Sequence, residues 1–157
     1  MAGRRKSDLL GLLFWVLLTF SVAFISSQFE PGPWYGTIAK PSWTPPGWVF
    51  GPVWSLLYLS MSISAWLVWR HRAQKPVILA LGFYVVQLIV NGLWSWLFFG
   101  RQIIGAALID LLSLVLLVAV TLALFFRIDR KAGVLLTPYL LWICFAAALN
   151  LQIWRLN

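Results

Sequence analysis

The sequence predicts an all-α integral membrane protein, a bundle of five transmembrane helices forming one domain over residues 1–157. Two observations carry that prediction. Hydrophobic residues make up 62 % of the chain and charged residues 10 %, a balance outside that of soluble domains. The apolar residues also gather in five charge-poor runs, at about 9–25, 48–69, 76–100, 102–126 and 132–154. A hydrocarbon core about 30 Å thick needs about 20 helical residues, and each run approximates that length. Short breaks between runs imply that consecutive helices are antiparallel neighbours.

The first run follows Arg4, Arg5 and Lys6 and so has the outline of a secretory signal. It is longer than the apolar core of such signals, and Ser26, Ser27 and Gln28 make a poor cleavage site, so it reads as a retained helix. Only Gly11, Thr19 and Ser21 interrupt its apolar surface, which suits scaffold.

Loop 26–47 carries Pro31, Pro33, Pro41, Pro45 and Pro46 among Trp34, Tyr35 and Trp43. Proline fixes φ and holds the preceding residue away from helical geometry, so this loop is stiff. Its rings suit an anchor at headgroup level. A long ordered loop equally suits a lid over a cavity.

The second helix is expected to start near Trp48 with Pro52 in its first turn, where a missing N–H costs little. Helical spacing puts Trp54, Tyr58, Met61 and Ala65 on one face. The same arithmetic makes a stripe of Tyr84, Gln87, Asn91, Trp94 and Phe98 on the third helix. The fourth holds Asp110, the only acid within a run, with Ser113, Leu117 and Thr121 continuing its face. A carboxylate there must face protein, be hydrogen-bonded or be neutral; a helix–helix contact and a role in proton coupling or ligand contact both satisfy this. On the fifth, Pro138, Trp142, Phe145, Ala146 and Leu149 share a side, and Cys144 points away. As the only cysteine, Cys144 has no internal disulfide partner.

The net charge of +8 is explained by its distribution. Arg4, Arg5, Lys6, Arg70, Arg72, Lys75, Arg127, Arg130 and Lys131 fall in segments that alternate onto one side, whereas only Lys40, Arg101 and Arg155 fall on the other. The positive-inside rule then predicts a cytoplasmic N-terminus, with the C-terminus and loop 26–47 outside. No nucleic-acid partner is expected. With that topology, Trp54, Tyr58, Asn91, Trp94 and Asp110 lie in the outer half of the bilayer at 1.5 Å per residue, and Trp142 near its middle with Ala146 above. Aromatic and polar groups converging at one depth beneath the loop suit a ligand cavity and favour the lid.

No Ser/His/Asp or Cys/His set, paired carboxylates, phosphate loop or metal-ligand spacing is visible, and no metal or required cofactor is expected. His71 reads as a solvated loop residue far from the cavity, which leaves no axial ligand for haem iron and favours an unmetallated planar ligand.

Several stretches resemble the signature of the translocator protein family, also called TspO/MBR, tryptophan-rich sensory protein or peripheral benzodiazepine receptor. They are Trp34 and Tyr35; the segment 40–50 with Val53 and Trp54; Gln87 to Asn91, Trp94, Ser95, Phe98 and Phe99; Pro138 to Trp142; and Phe145, Ala146, Leu149, Asn150, Trp154 and Arg155. The eleven tryptophans agree with the family's name. The resemblance implies a five-helix bundle, commonly a homodimer, with a pocket closed by the first loop. It implies binding of porphyrins such as protoporphyrin IX and of other hydrophobic small molecules. Position by position it implies a pocket of Tyr35, Trp43, Trp54, Tyr58, Asn91, Trp94, Trp142, Phe145 and Ala146. Such a protein is a membrane receptor or regulator in tetrapyrrole transport or stress sensing. Two alternatives remain. One is light- or oxygen-dependent porphyrin breakdown with Trp54 and Trp142 as redox partners; the other is a small proton-coupled exporter using Asp110. Animal members carry an apolar–aromatic–basic sterol motif with a central tyrosine. Residues 149–155 keep its apolar and basic ends without the tyrosine, so tight cholesterol binding is not expected. The short loops and arginine-rich start suit a bacterial member.

Overall fold

A computed structural model describes residues 2–157, with side chains from Lys6 onward. The side chains of Arg4 and Arg5, on which the predicted topology partly rests, lie outside the described residues. The helices are α1 (Ala2–Ser26), α2 (Pro33–Thr37), α3 (Gly47–Arg70), α4 (Ile78–Ser95), α5 (Ile104–Ile128) and α6 (Arg130–Leu156). A π-helical turn, Trp96–Gly100, prolongs α4. Five segments have the length and hydropathy to cross a membrane: Lys6–Ser26, Gly47–Arg70, Ile78–Gly100, Ile104–Ile128 and Arg130–Leu156. The chain is thus an all-α integral membrane protein, as its composition predicts.

Its long helices close a ring in the order α1, α3, α6, α5, α4 and back to α1. This departs from the expectation that every consecutive pair packs together, because α3 and α4 meet only sparsely. The seven-residue link 71–77 instead passes α1 between them. It is tied down on the way: Arg72 Nη2 donates to Ser7 Oγ at 2.9 Å and Lys75 Nζ to the Ile128 carbonyl at 2.5 Å. Arg70 pairs with Asp8 at 3.6 Å. His71 is therefore no free loop residue; its Nε2 lies 3.0 Å from Asp129 Oδ2, joining the end of α3 to the start of α6. These contacts gather the basic segments at one end of the bundle.

Two other local departures have simple causes. Pro52 stands in the second turn of α3 because the helix starts at Gly47, so the Trp48 carbonyl loses its helical donor. Ser113 is exposed and bonds back to the Ile109 carbonyl at 2.9 Å, so it leaves the Asp110 face. That buried face runs instead through Ala107, Asp110, Leu111, Leu114, Val118 and Thr121.

The ring's interior is packed with aromatic and aliphatic side chains, Tyr84, Tyr139, Phe98 and Phe125 being the largest fully buried. At the level of α1, Thr19 shares a 2.6 Å hydrogen bond with the Tyr84 hydroxyl, which ties this helix to α4. A tyrosine in an apolar interior needs such a partner for its hydroxyl.

Candidate functional site

The nine residues singled out from the sequence form three groups, seven on α3, α4 and α6 and two, Tyr35 and Trp43, within segment 27–46. Central among them is a chain of side-chain hydrogen bonds across α3, α4 and α6. Tyr58 OH donates to Asn91 Oδ1 at 2.5 Å, Asn91 Nδ2 to Tyr139 OH at 3.0 Å, and Tyr139 OH to Gln87 Oε1 at 3.0 Å. All four are buried. The helical stripes on α3 and α4 create this chain by aiming Tyr58, Gln87 and Asn91 inward. Trp54 lies against it, its ring 5.5 Å from Tyr58 and 6.3 Å from Tyr139. Asn91 thus clamps two tyrosines.

The second group is an aromatic wall on the flank of α6. Trp142 lies 5.9 Å from Phe50 and 5.5 Å from Phe145, and Trp43 of the loop meets Phe145 edge-on at 5.8 Å. Ala146 is half-buried beside them. The Trp142 indole N–H is buried and has no acceptor among the described residues. A buried indole normally finds one, so this donor is available to a ligand.

The third group sits where the loop meets the end of α4. Tyr35, on α2, packs edge-on against Phe99 at 5.5 Å and Phe98 at 6.2 Å. Burial pushes its phenol pKa above the ordinary 10.0. Trp94 stacks on Phe98 at 5.1 Å and donates from Nε1 to Asn150 Oδ1 at 3.1 Å. Asn150 Nδ2 in turn donates to the Ile104 carbonyl at 3.1 Å, tying α6 to the first turn of α5.

The loop is held in place from several sides. Lys40 Nζ donates to the carbonyls of Tyr35 at 2.5 Å and Ile38 at 2.9 Å, with its ammonium 4.7 Å from the Tyr35 ring centre. At the far end of α6, the Asn157 side chain both accepts from the Ala39 N–H and donates to the Ala39 carbonyl, each at 3.0 Å. The stiffness expected from five prolines is therefore reinforced by tertiary bonds.

Sequence reasoning missed Tyr139, Asn150 and Gln87 as site residues. Tyr139 and Asn150 belong to a second helical stripe on α6 with Leu136, Ile143 and Ala147, which is the buried one. Asp110 is buried in the bundle, and its Oδ2 has no partner among the described residues.

Comparison with known proteins bears on this arrangement. The family model described as "TspO/MBR family" matches residues 12–155. The chain belongs to the TspO/MBR family. It is 42 % identical over 150 residues to "Protein CrtK" of Rhodobacter capsulatus, covering 90 % of this chain and 94 % of that one. It is 40 % identical over 139 residues to "Translocator protein" of Homo sapiens, covering 85 % and 82 % respectively. "Tryptophan-rich sensory protein" of Cereibacter sphaeroides is 40 % identical over 135 residues, covering 86 % and 84 %. The chain is thus a membrane protein of the TspO/MBR family, with named relatives in bacteria and animals.

Proposed function

We propose that this TspO/MBR protein is a receptor for porphyrins of the protoporphyrin IX type, bound beneath segment 27–46 during tetrapyrrole transport or stress sensing. The observation that carries this reading is the unpaired indole N–H of Trp142 within an aromatic wall. A porphyrin offers two apolar faces to stack on such rings, and carboxylates or ring nitrogens to accept the indole proton. Trp43, Phe50, Trp54, Trp142 and Phe145 supply the stacking surface. The buried Tyr58–Asn91–Tyr139 chain supplies a rigid floor. Because Trp43 touches Phe145 directly, entry of a planar ligand requires the loop to lift.

The test is a titration of protoporphyrin IX followed by tryptophan fluorescence. Trp142→Phe keeps a ring but removes the donor, and weakens binding about threefold to tenfold. Trp54→Ala with Trp142→Ala together weakens it further. Unchanged affinity in both variants overturns the reading.

A second reading, oxidative breakdown of the bound porphyrin, is favoured by the Trp54 indole lying next to two phenols. These are oxidisable groups in contact: Trp54 can give an electron to the light-excited porphyrin, leaving an indole radical and a porphyrin radical anion, and dioxygen is then the oxidant that takes up the electron and attacks the ring. Bleaching of protoporphyrin under light at the same rate and to the same products with and without protein removes this reading.

We further propose a cytoplasmic N-terminus and a homodimer. The clustering of Lys6, Arg72, Lys75, Arg130 and Lys131 at one end supports the orientation. Labelling of single introduced cysteines at Gln74 and Ser42 in a Cys144→Ala background distinguishes the two sides, and cross-linking in native membranes reads the stoichiometry.

A further inference from the structure

Where the first turns of α1 meet the last turn of α3, an open groove of about 550 Å³ is lined by Lys6, Ser7, Leu10, Gly11, Phe14 and Trp69. We propose that this groove binds one anionic phospholipid from the leaflet at the basic end of the bundle. The site is separate from the aromatic wall and does not depend on the porphyrin reading.

The groove is built by a close approach. A Cβ on Gly11 would stand 2.2 Å from the Trp69 ring, so only glycine lets the indole lie against α1. The Arg72 guanidinium then stacks over that indole, 3.3 Å from the ring centre. Its Nη1 donates to the Trp69 carbonyl at 3.3 Å and its Nη2 to Ser7 Oγ at 2.9 Å. These contacts hold a planar, permanently charged fork at the mouth of the groove before any ligand arrives, which suits recognition of a phosphate.

Charge complementarity names the occupant. Among the described residues, neither Lys6 nor Arg72 pairs with a carboxylate, because the nearby Asp8 is taken by Arg70 at 3.6 Å. Lys6 and the Ser7 hydroxyl therefore line the groove, and Arg72, uncompensated like Lys6, abuts it through its contacts with Ser7 and the Trp69 ring. Below them its walls are apolar, and Leu10 and Phe14 remain 67 % and 56 % exposed. Leu17 continues the same face of α1 one turn further into the bilayer, also exposed. A free phosphate satisfies the rim but not this apolar track, whereas a diacyl phospholipid satisfies both. Basic pockets between transmembrane helices favour such headgroups.

The alternative is diffuse attraction of anionic lipid by all the basic residues at that end, and the test separates the two. The full-length protein is exchanged into nanodiscs of phosphatidylglycerol and phosphatidylcholine in equal parts, and retained lipid is counted by native mass spectrometry. One phosphatidylglycerol should stay bound in preference to phosphatidylcholine. In Lys6→Gln with Arg72→Gln that preference should fall about tenfold or more, since each cation near the surface contributes separately. Arg130→Gln with Lys131→Gln removes the same charge elsewhere and should leave the preference intact. An unaffected first variant, or an equal loss in both, overturns the proposal. The unaltered protein gives an independent reading with photoactivatable phosphatidylglycerol. Crosslinks concentrated on Leu10, Phe14 and Trp69 support the site, and crosslinks spread evenly around the bundle refute it even where a variant fails to fold.

Discussion

Tyr139 is the residue on which the polar interior turns, because its hydroxyl accepts from Asn91 and donates to Gln87. Tyr139→Phe leaves Asn91 Nδ2 and Gln87 Oε1 without partners where no water replaces them. The expected loss is about 1 kcal/mol, since interhelical hydrogen bonds in membranes average about 0.6 kcal/mol and orphaned buried groups cost more. Tyr58→Phe strands only Asn91 Oδ1 and should cost less. Equilibrium unfolding in mixed detergent micelles measures both, and equal losses would refute the ranking. Tyr58 and Asn91 were legible in the sequence because Tyr58 follows Trp54 at helical spacing on α3 and Asn91 continues the Tyr84–Gln87 stripe on α4, each marking one face. Tyr139 was not. On α6 two faces are almost equally apolar, and lipid rewards the same side chains as the bundle interior does. The stripe chosen from Pro138 and Trp142 proves to be the half-buried flank, with Pro138 itself exposed. The contact between His71 and Asp129 was equally hidden, because it joins residues 58 positions apart in segments that read as solvated.

Helix α6 begins on a designed start. Asp129 Oδ1 accepts from the N–H groups of Lys131 at 2.8 Å and Ala132 at 3.3 Å, while Oδ2 meets His71. Partial burial would raise the carboxyl pKa, but the His71 contact and the two N–H groups outweigh it and hold the pKa below the ordinary 3.8. A depressed folded-state value means the carboxylate contributes stability above pH 3.8, and that contribution fades as pH falls through the lower folded value. Asp129→Ala should lower stability by about 1 kcal/mol at neutral pH, as for other N-cap losses. The gap in melting temperature between the two proteins should narrow as pH falls below 3.8; a constant gap refutes the charge-dependent part. One turn on, a Cβ at Gly133 would meet the Phe126 ring at 2.4 Å near its root, where the ring has little freedom to move. Gly82 on α4 has open space around it. Gly133→Ala should therefore destabilise, whereas Gly82→Ala should stabilise by up to about 1 kcal/mol through helix propensity alone. The same unfolding assay decides the sign of each. Element boundaries were read to within a few residues, except for α2, the π-helical turn and an α1 that starts seven residues early. These escape because hydropathy marks where lipid is, not where hydrogen bonding begins.

At the scale of the whole molecule, the ring order sends both ends of the problem to one place. Because α3 and α6 are neighbours, Phe50 and Trp54 face Trp142 and Tyr139, and segment 27–46 has to cross over them to reach α3. The far end of α6 then meets that segment. Ring order follows from which helix the 71–77 link passes, and hydropathy carries no information on it. The paired bonds between Asn157 and Ala39 are the longest-range hydrogen bonds among the described residues, joining positions 118 apart, and they fix segment 27–46 as a strap independently of the Trp43–Phe145 contact. Asn157→Ala removes an acceptor from the Ala39 N–H and a donor from its carbonyl, and with them only the bond from Asn157 Nδ2 to the Ile153 carbonyl in the last turn of α6. Losing about 1 kcal/mol at that position corresponds to about fivefold faster exchange of the Ala39 amide. Amides inside α3 and α6 should keep their native rates, which separates strap opening from general unfolding. If the strap is also the lid, stopped-flow mixing with protoporphyrin IX should show association and dissociation accelerating together, with the equilibrium constant nearly unchanged. Unaltered Ala39 exchange refutes the clamp, and faster exchange with unaltered ligand kinetics leaves the clamp standing but rules out its control of entry.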